Sequence, residues 1–387
     1  MIYVHIPFCR SFCTYCDFYS EIASRCNADE QIKFAQFSQA LSTEVAKRAG
    51  EITEDINTLY IGGGTPSVLP LSVFESLLQT LQEHGHGGPF EEFTVEVNPE
   101  DIVQKGEAYV EGLLRLGVNR VSMGVQSFDD GILKWMNRRH DSATARKAYH
   151  ILESAGVSNI SIDLIFGLSQ LSDDQWNETL DNALGISSAD RLPQHISSYQ
   201  LSVEPGSALA QLVERGQWSE ASEELCSRQY EMLCDRLRAA GYHHYEISNF
   251  AQPGYEAVHN SAYWKHLPYV GLGPGAHSYL LSSPRQSFIR QWNESDLGLY
   301  LKAAEEGDFS AVQDSEVLSD EQLAMEKLML GLRTSTGVCE EFLRANCDVE
   351  QLEEALRCGN LASMPGGMIR IPEDRFFISD NIISSIV

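Results

Sequence analysis

Cys9, Cys13 and Cys16 stand in C-x₃-C-x₂-C order just after a short apolar run, Tyr3-Val4-His5-Ile6. Three thiolates can hold three corners of a cubane iron–sulfur cluster. Such clusters normally take four cysteines, so one iron would stay open to an outside ligand. The same residues also allow a structural zinc site, with His5 or His140 as the fourth donor. Zinc sites favour paired C-x₂-C knuckles with a second pair far downstream, and this chain has none, so the spacing favours iron and sulfur. The other six of the nine cysteines are scattered and read as buried thiols; Cys26 lies near the cluster motif but outside it.

A tight cysteine cluster with an odd total is not a disulfide framework, and points to metal or catalytic chemistry in a reducing compartment. The N-terminus has no basic segment followed by an apolar stretch, and no run of 18 apolar residues occurs. A cytoplasmic protein with no membrane span is expected; peripheral membrane contact stays open. The 387 residues carry 28 basic and 55 acidic side chains, a net charge of −27. Such a surface repels phosphate backbones, so nucleic acid is not an expected partner. With 43% apolar and 21% charged residues the chain can bury a large core.

The elements that position the cysteines are legible from periodicity. β-like runs at Tyr3–Ile6, Asn57–Ile61, Phe93–Val97, Arg120–Val125, Asn159–Ile165 and His195–Leu201 alternate with amphipathic segments. The first segment puts Phe34, Phe37, Leu41 and Val45 on one face and ends at Gly50; later ones end at Gly85, Gly117 and Gly156. Ser172-Asp173-Asp174-Gln175 has the form of a capping box. Six β-α units in series predict a parallel α/β sheet. Strands buried on both faces read as continuous apolar runs. Here Glu96, Gln126 and Asp163 alternate with apolar residues and gather toward strand C-termini, which predicts an open, partial (β/α)₆ barrel with a polar lumen. Beyond residue 210 the sequence predicts a helix around Glu220–Ala240, a Gly/Pro/aromatic-rich stretch from Tyr242 to Leu280, a helix at Asp320–Leu332, and a hairpin near Ile369–Ile378 turning at Pro372-Glu373-Asp374.

The segment from Tyr3 to Phe18 resembles the radical S-adenosylmethionine (SAM) superfamily. Within it, the chain resembles the anaerobic coproporphyrinogen-III oxidase family, and most of all its haem-chaperone branch. The likeness runs through Gly62-Gly63-Gly64-Thr65-Pro66-Ser67, Glu96-Val97-Asn98-Pro99, Gly117-Val118-Asn119-Arg120, Gly124-Val125-Gln126-Ser127-Phe128, Asp163-Leu164-Ile165-Phe166-Gly167-Leu168, Tyr245-Glu246-Ile247-Ser248-Asn249-Phe250 and His259-Asn260-Ser261-Ala262-Tyr263-Trp264. It covers about residues 2–280 well and the tail loosely.

The resemblance implies a [4Fe–4S] cluster on Cys9, Cys13 and Cys16, with SAM chelating the open iron. It implies SAM contacts from Tyr3, Gly63, Gly64, Thr65, Glu96, Gln126, Arg138 and Asp163. Taken alone, the glycines read as a turn, Tyr3 as packing, and the strand trio as satisfied lumen hydrogen bonds. Arg139 is expected at the surface. His259, Asn260, Tyr263 and Trp264 match an HNxxYW motif proposed to bind haem. His259 could ligate iron and the rings could pack a porphyrin face; the plain alternative is a core turn. The implied organisation is a radical SAM partial barrel at 1–210, a mixed α/β accessory region at 211–315, and a small, mainly helical, winged-helix-like domain at 316–387.

Three functions are weighed. One is a haem chaperone that binds cluster, SAM and haem and hands haem to an acceptor protein. The second is an oxygen-independent coproporphyrinogen III oxidase. The third is a zinc-stabilised module without cofactor chemistry. The oxidase branch has a further cysteine two positions after the third ligand, where this chain has Phe18, and an N-terminal extension before the first strand; both favour the chaperone. After Gly167-Leu168 the family pattern Pro-x-Gln-Thr is replaced by Ser169-Gln170-Leu171-Ser172.

Overall fold

A computed structural model describes residues 1–23, 27–53, 57–189, 191–282 and 287–387; Cys26 lies outside the described residues. All six expected strands form, as β1 (Ile2–Ile6), β2 (Thr58–Gly63), β3 (Glu92–Val97), β4 (Arg120–Gln126), β5 (Ile160–Phe166) and β6 (His195–Gln200). They pair in sequence order, all parallel. Three further strands extend the sheet: β7 (His243–Glu246), β8 (Asn249–Ala251) and β9 (Val270–Leu272). β9 joins β1 in parallel, while β8 and then β7 add antiparallel beyond β6. The nine strands form an open sheet whose outermost strands, β9 and β7, belong to the 211–315 stretch.

The helices cover the outer face for the reasons the sequence suggests. Helix Asn27–Arg48 buries Phe34, Phe37, Leu41 and Val45, starts with Asp29 and Glu30 and ends with Lys47 and Arg48, which complements its dipole. Asn98 caps Pro99–Arg115, Asp141 caps Ser142–Ser154, and Ser172 with Gln175 closes a capping box on Asp173–Leu184. Gly85, Gly117 and Gly156 follow their helices with positive φ, as expected.

A second antiparallel sheet follows the order His277–Ser282, Ser287–Asn293, Gln313–Val317. The last stretch sets helices Asp320–Leu332, Glu340–Asn346, Val349–Arg357 and Ser379–Ile386 around a small sheet of Val338–Cys339, Met368–Arg370 and Ala362–Met364. The expected hairpin at Ile369–Ile378 is corrected: it pairs Ala362–Met364 with Met368–Arg370. The turn falls at Gly366-Gly367, both with positive φ, which glycine alone takes easily. Pro372 instead opens the 3₁₀ helix Glu373–Ile378. One contiguous apolar core runs from Ile2 to Ile386. Among the described residues no helix is long and apolar enough to cross a membrane.

Candidate functional site

The cysteine loop follows β1 and crosses the C-terminal end of the sheet, where β/α barrels place their active sites. It is fastened on several sides. The Gly64 and Thr65 amides donate to the carbonyls of Ile6 (2.8 Å) and Phe8 (2.7 Å). A Cβ on Gly64 would stand 2.7 Å from the Phe8 oxygen, and Gly63 has φ +102°, so this approach requires glycine. On the far side, the Thr14 amide donates to the Met136 carbonyl (3.1 Å) and its hydroxyl to that of Trp135 (2.8 Å). Asn137 donates to the Phe12 carbonyl at 2.7 Å.

All three thiols are partly buried and line one cavity of about 660 Å³. The Cys9 sulfur lies 3.3 Å from the Thr65 hydroxyl, and the Cys13 sulfur accepts from Arg138 Nη1 at 3.3 Å. Burial raises the Cys9 thiol pKa against the Thr65 hydroxyl bond, and pushes that of Cys16 up to about 12. Among the described residues no three Cys, His, Asp or Glu side chains are grouped to hold one metal ion. A tetrahedral zinc would need its sulfurs about 3.8 Å apart, whereas a cubane binds each thiolate to a different iron and spreads them. Among the described residues neither proposed fourth zinc donor is grouped with two of the thiols to hold a metal ion. His5 has one ring nitrogen 3.1 Å from the Tyr3 hydroxyl and the other 2.8 Å from the Tyr19 carbonyl, and His140 faces the Val125 carbonyl at 3.1 Å.

The same cavity collects most of the strand residues. Glu96 accepts from the Tyr60 hydroxyl (2.6 Å) and the Gly63 amide (3.2 Å). Burial nevertheless raises its pKa to about 7. Asp163 accepts from Ser122 at 3.1 and 3.2 Å and stands opposite Ser197 in the strand register, and burial raises its pKa too. Gln126 sits where the β4–β5 register shifts and has φ +68°, a strained conformation that ends the ladder beside the cavity. Arg138 bridges Cys13 and the Gly124 carbonyl (2.7 Å), while its Nε is buried with no partner among the described residues. Gly63, Gly64 and Thr65 complete the wall.

Some residues lie elsewhere than expected. Tyr3 is not among the cavity-lining residues; it stands beside Tyr60 (ring centroids 6.1 Å apart). Arg139 is not a free surface cation: it is ion-paired with Glu100 (3.0 Å) and Asp101 (3.1 Å). The HNxxYW motif forms helix Val258–Trp264 at the N-terminal end of the sheet, where Glu92 accepts from the amides of Val258 (2.7 Å) and His259 (3.3 Å). His259 is fully buried, its Nδ1 bonded to Thr58 at 2.8 Å and its Nε2 to Tyr263 at 2.9 Å, with burial lowering its pKa to about 3. Asn260, one position on, lines the cavity. Tyr60, Arg120, Ser122 and Ser197 also line it. They were missed from the sequence, although Arg120, Ser122 and Ser197 each lie two residues from another cavity-lining residue, the step of a strand face.

The donor set fits the ligand pair it would serve. Three thiols at the mouth suit a cluster with an open corner. Two carboxylates, an amide and a guanidinium with a free buried N–H suit a zwitterionic amino acid joined to a nucleoside. A Radical SAM superfamily model matches residues 3–183. The haem chaperone HemW of Lactococcus lactis is 35% identical over 352 residues, spanning 90% of this chain and 86% of that protein. HemW of Synechocystis is 33% identical, spanning 93% and 84%. The Escherichia coli coproporphyrinogen III oxidase HemN, a radical SAM enzyme, superposes with a TM-score of 0.79 at 20% identity, covering 99% of this chain and 89% of that one, a likeness of fold.

Fold and site together define a radical SAM protein, a class that implies SAM and a [4Fe–4S] cluster. Within that superfamily, the chain belongs to the HemW haem-chaperone family.

Proposed function

We propose that this chain is a cytoplasmic haem chaperone: it carries a [4Fe–4S] cluster on Cys9, Cys13 and Cys16 with SAM beside it, takes up haem, and passes it to an acceptor protein. The observation that carries this reading is its similarity to proteins named haem chaperones over more than four fifths of both chains. When bound, the cluster would offer its open iron to the amino and carboxylate groups of SAM. Arg138 would pair with that carboxylate through the N–H it leaves free. Glu96 and Asp163 would accept from ammonium and ribose hydroxyls, and Gln126 and the Gly63-Gly64-Thr65 edge would hold the nucleoside. Tyr3 would act through Tyr60 and His5.

Haem would be taken by the HNxxYW helix in the 211–315 region, with Tyr263 and Trp264 supplying apolar area. His259 would ligate iron after exchanging its bonds to Thr58 and Tyr263.

Anaerobically reconstituted protein given SAM, reductant and coproporphyrinogen III is expected to leave that substrate unchanged, while binding haem and releasing it to an apo-haemoprotein. Sustained formation of protoporphyrinogen would overturn the chaperone reading in favour of the oxidase.

A further inference from the structure

A buried chain of hydrogen bonds crosses the lumen from the cavity to the backbone just before the HNxxYW helix. It starts at Asp163, which stands opposite Ser197 in the register of β5 with β6. The Ser197 and Ser161 hydroxyls are 3.3 Å apart. Ser161 meets His195 Nδ1 at 2.7 Å, and His195 Nε2 meets the Tyr245 hydroxyl at 2.7 Å. The Tyr245 oxygen accepts from the Ala257 amide at 3.3 Å. Ser161 and His195 are fully buried, and Ser197 and Tyr245 nearly so, which keeps water out of the chain.

Its two ends differ in kind. The Ala257 amide can only donate, and an ionised Asp163 can only accept. With Asp163 ionised, one arrangement uses every proton. Tyr245 donates to His195 Nε2, His195 donates from Nδ1 to Ser161, Ser161 to Ser197, and Ser197 to Asp163. With Asp163 protonated, that carboxyl can donate to Ser197 and the chain can reverse. The His195 proton then sits on Nε2 and faces Tyr245, which already accepts from Ala257. Chains of this kind polarise one another in a dry interior, so the two arrangements hold the Ala257 amide differently.

We propose that His195 is a positioning residue whose tautomer relays the state of the Asp163 carboxylate to Ala257, so that a ligand cation or hydroxyl at Asp163 sets the segment leading into His259-Asn260. The proposal rests on the reading that Asp163 faces SAM. Coupling of this kind is reciprocal, so occupancy of the helix would also alter SAM affinity. The amides of Val258 and His259 go to Glu92 instead and serve as an internal reference.

The test is amide hydrogen exchange on the cluster-replete full chain, with and without saturating SAM, together with ¹⁵N-histidine shifts. In the wild type, SAM is expected to slow Ala257 exchange about fivefold or more relative to Val258. The His195 signal is expected to be that of an Nδ1–H tautomer. Ser161→Ala is expected to abolish the SAM response, and Ser161→Thr, which keeps the hydroxyl, to restore it. A full response in Ser161→Ala overturns the relay, as does an unresponsive Ala257 amide in a wild type that binds SAM. SAM affinity unchanged by Asp163→Asn overturns the reading of the cavity itself.

Discussion

Glu96 shows what burial does to one side chain at this site. It accepts from Tyr60 and Gly63, yet its pKa is raised from 4.5 to about 7. Between those values the native chain keeps a proton that the unfolded chain has lost, so stability falls as pH rises through that window. Buried Glu246, also raised to about 7, adds to the same fall. Glu96→Gln is expected to flatten part of it in urea unfolding curves. The ionised form is the one that accepts from an ammonium or hydroxyl, so SAM affinity in the wild type is expected to rise from about pH 6 to 8. A rise of equal size in Glu96→Gln would remove Glu96 from the SAM contacts. The sequence exposed Glu96, Gln126 and Asp163 because they break an apolar alternation. It hid Tyr60 and Ser122, because tyrosine and serine in a strand look like ordinary packing and propensity.

At the scale of elements, the six barrel strands were legible because each has a clear alternation bounded by helices with capping residues and terminal glycines. The three added strands were not. β8 and β9 are three residues each and sit in a Gly/Pro/aromatic-rich stretch where no period can establish itself. The tail hairpin was misplaced because a Pro-Glu-Asp turn signal outweighed the Gly366-Gly367 pair. The helix Val258–Trp264 shows a further limit. Its motif was plain, but nothing in it said that Thr58 and Tyr263 would occupy both nitrogens of His259. That geometry makes two opposed predictions for haem titrations. His259→Ala is expected to weaken haem binding at least tenfold and to lower stability by about 1–3 kcal/mol through lost buried hydrogen bonds. Thr58→Val frees Nδ1 while keeping shape, and is expected to tighten haem binding about fivefold. Unchanged affinity in both would leave His259 as a pin between helix and sheet.

Over the whole molecule, the open sheet places the cysteine loop at one end of the lumen and the HNxxYW helix at the other, with the polar cavity between. That arrangement needs the 211–315 stretch, because β7 and β8 extend one edge and β9 buttresses β1, the strand that launches the cysteine loop. A net charge of −27 makes the molecule strongly acidic overall. Everything proposed depends on what the three thiols hold. Iron, zinc and acid-labile sulfide, with Mössbauer spectra, measured on anaerobically reconstituted wild type and Cys13→Ala test this most directly. The wild type is expected to contain about four irons and four sulfides per chain with cubane spectra, and Cys13→Ala far less. Stoichiometric zinc without sulfide, or a full cubane surviving in Cys13→Ala, would contradict the account.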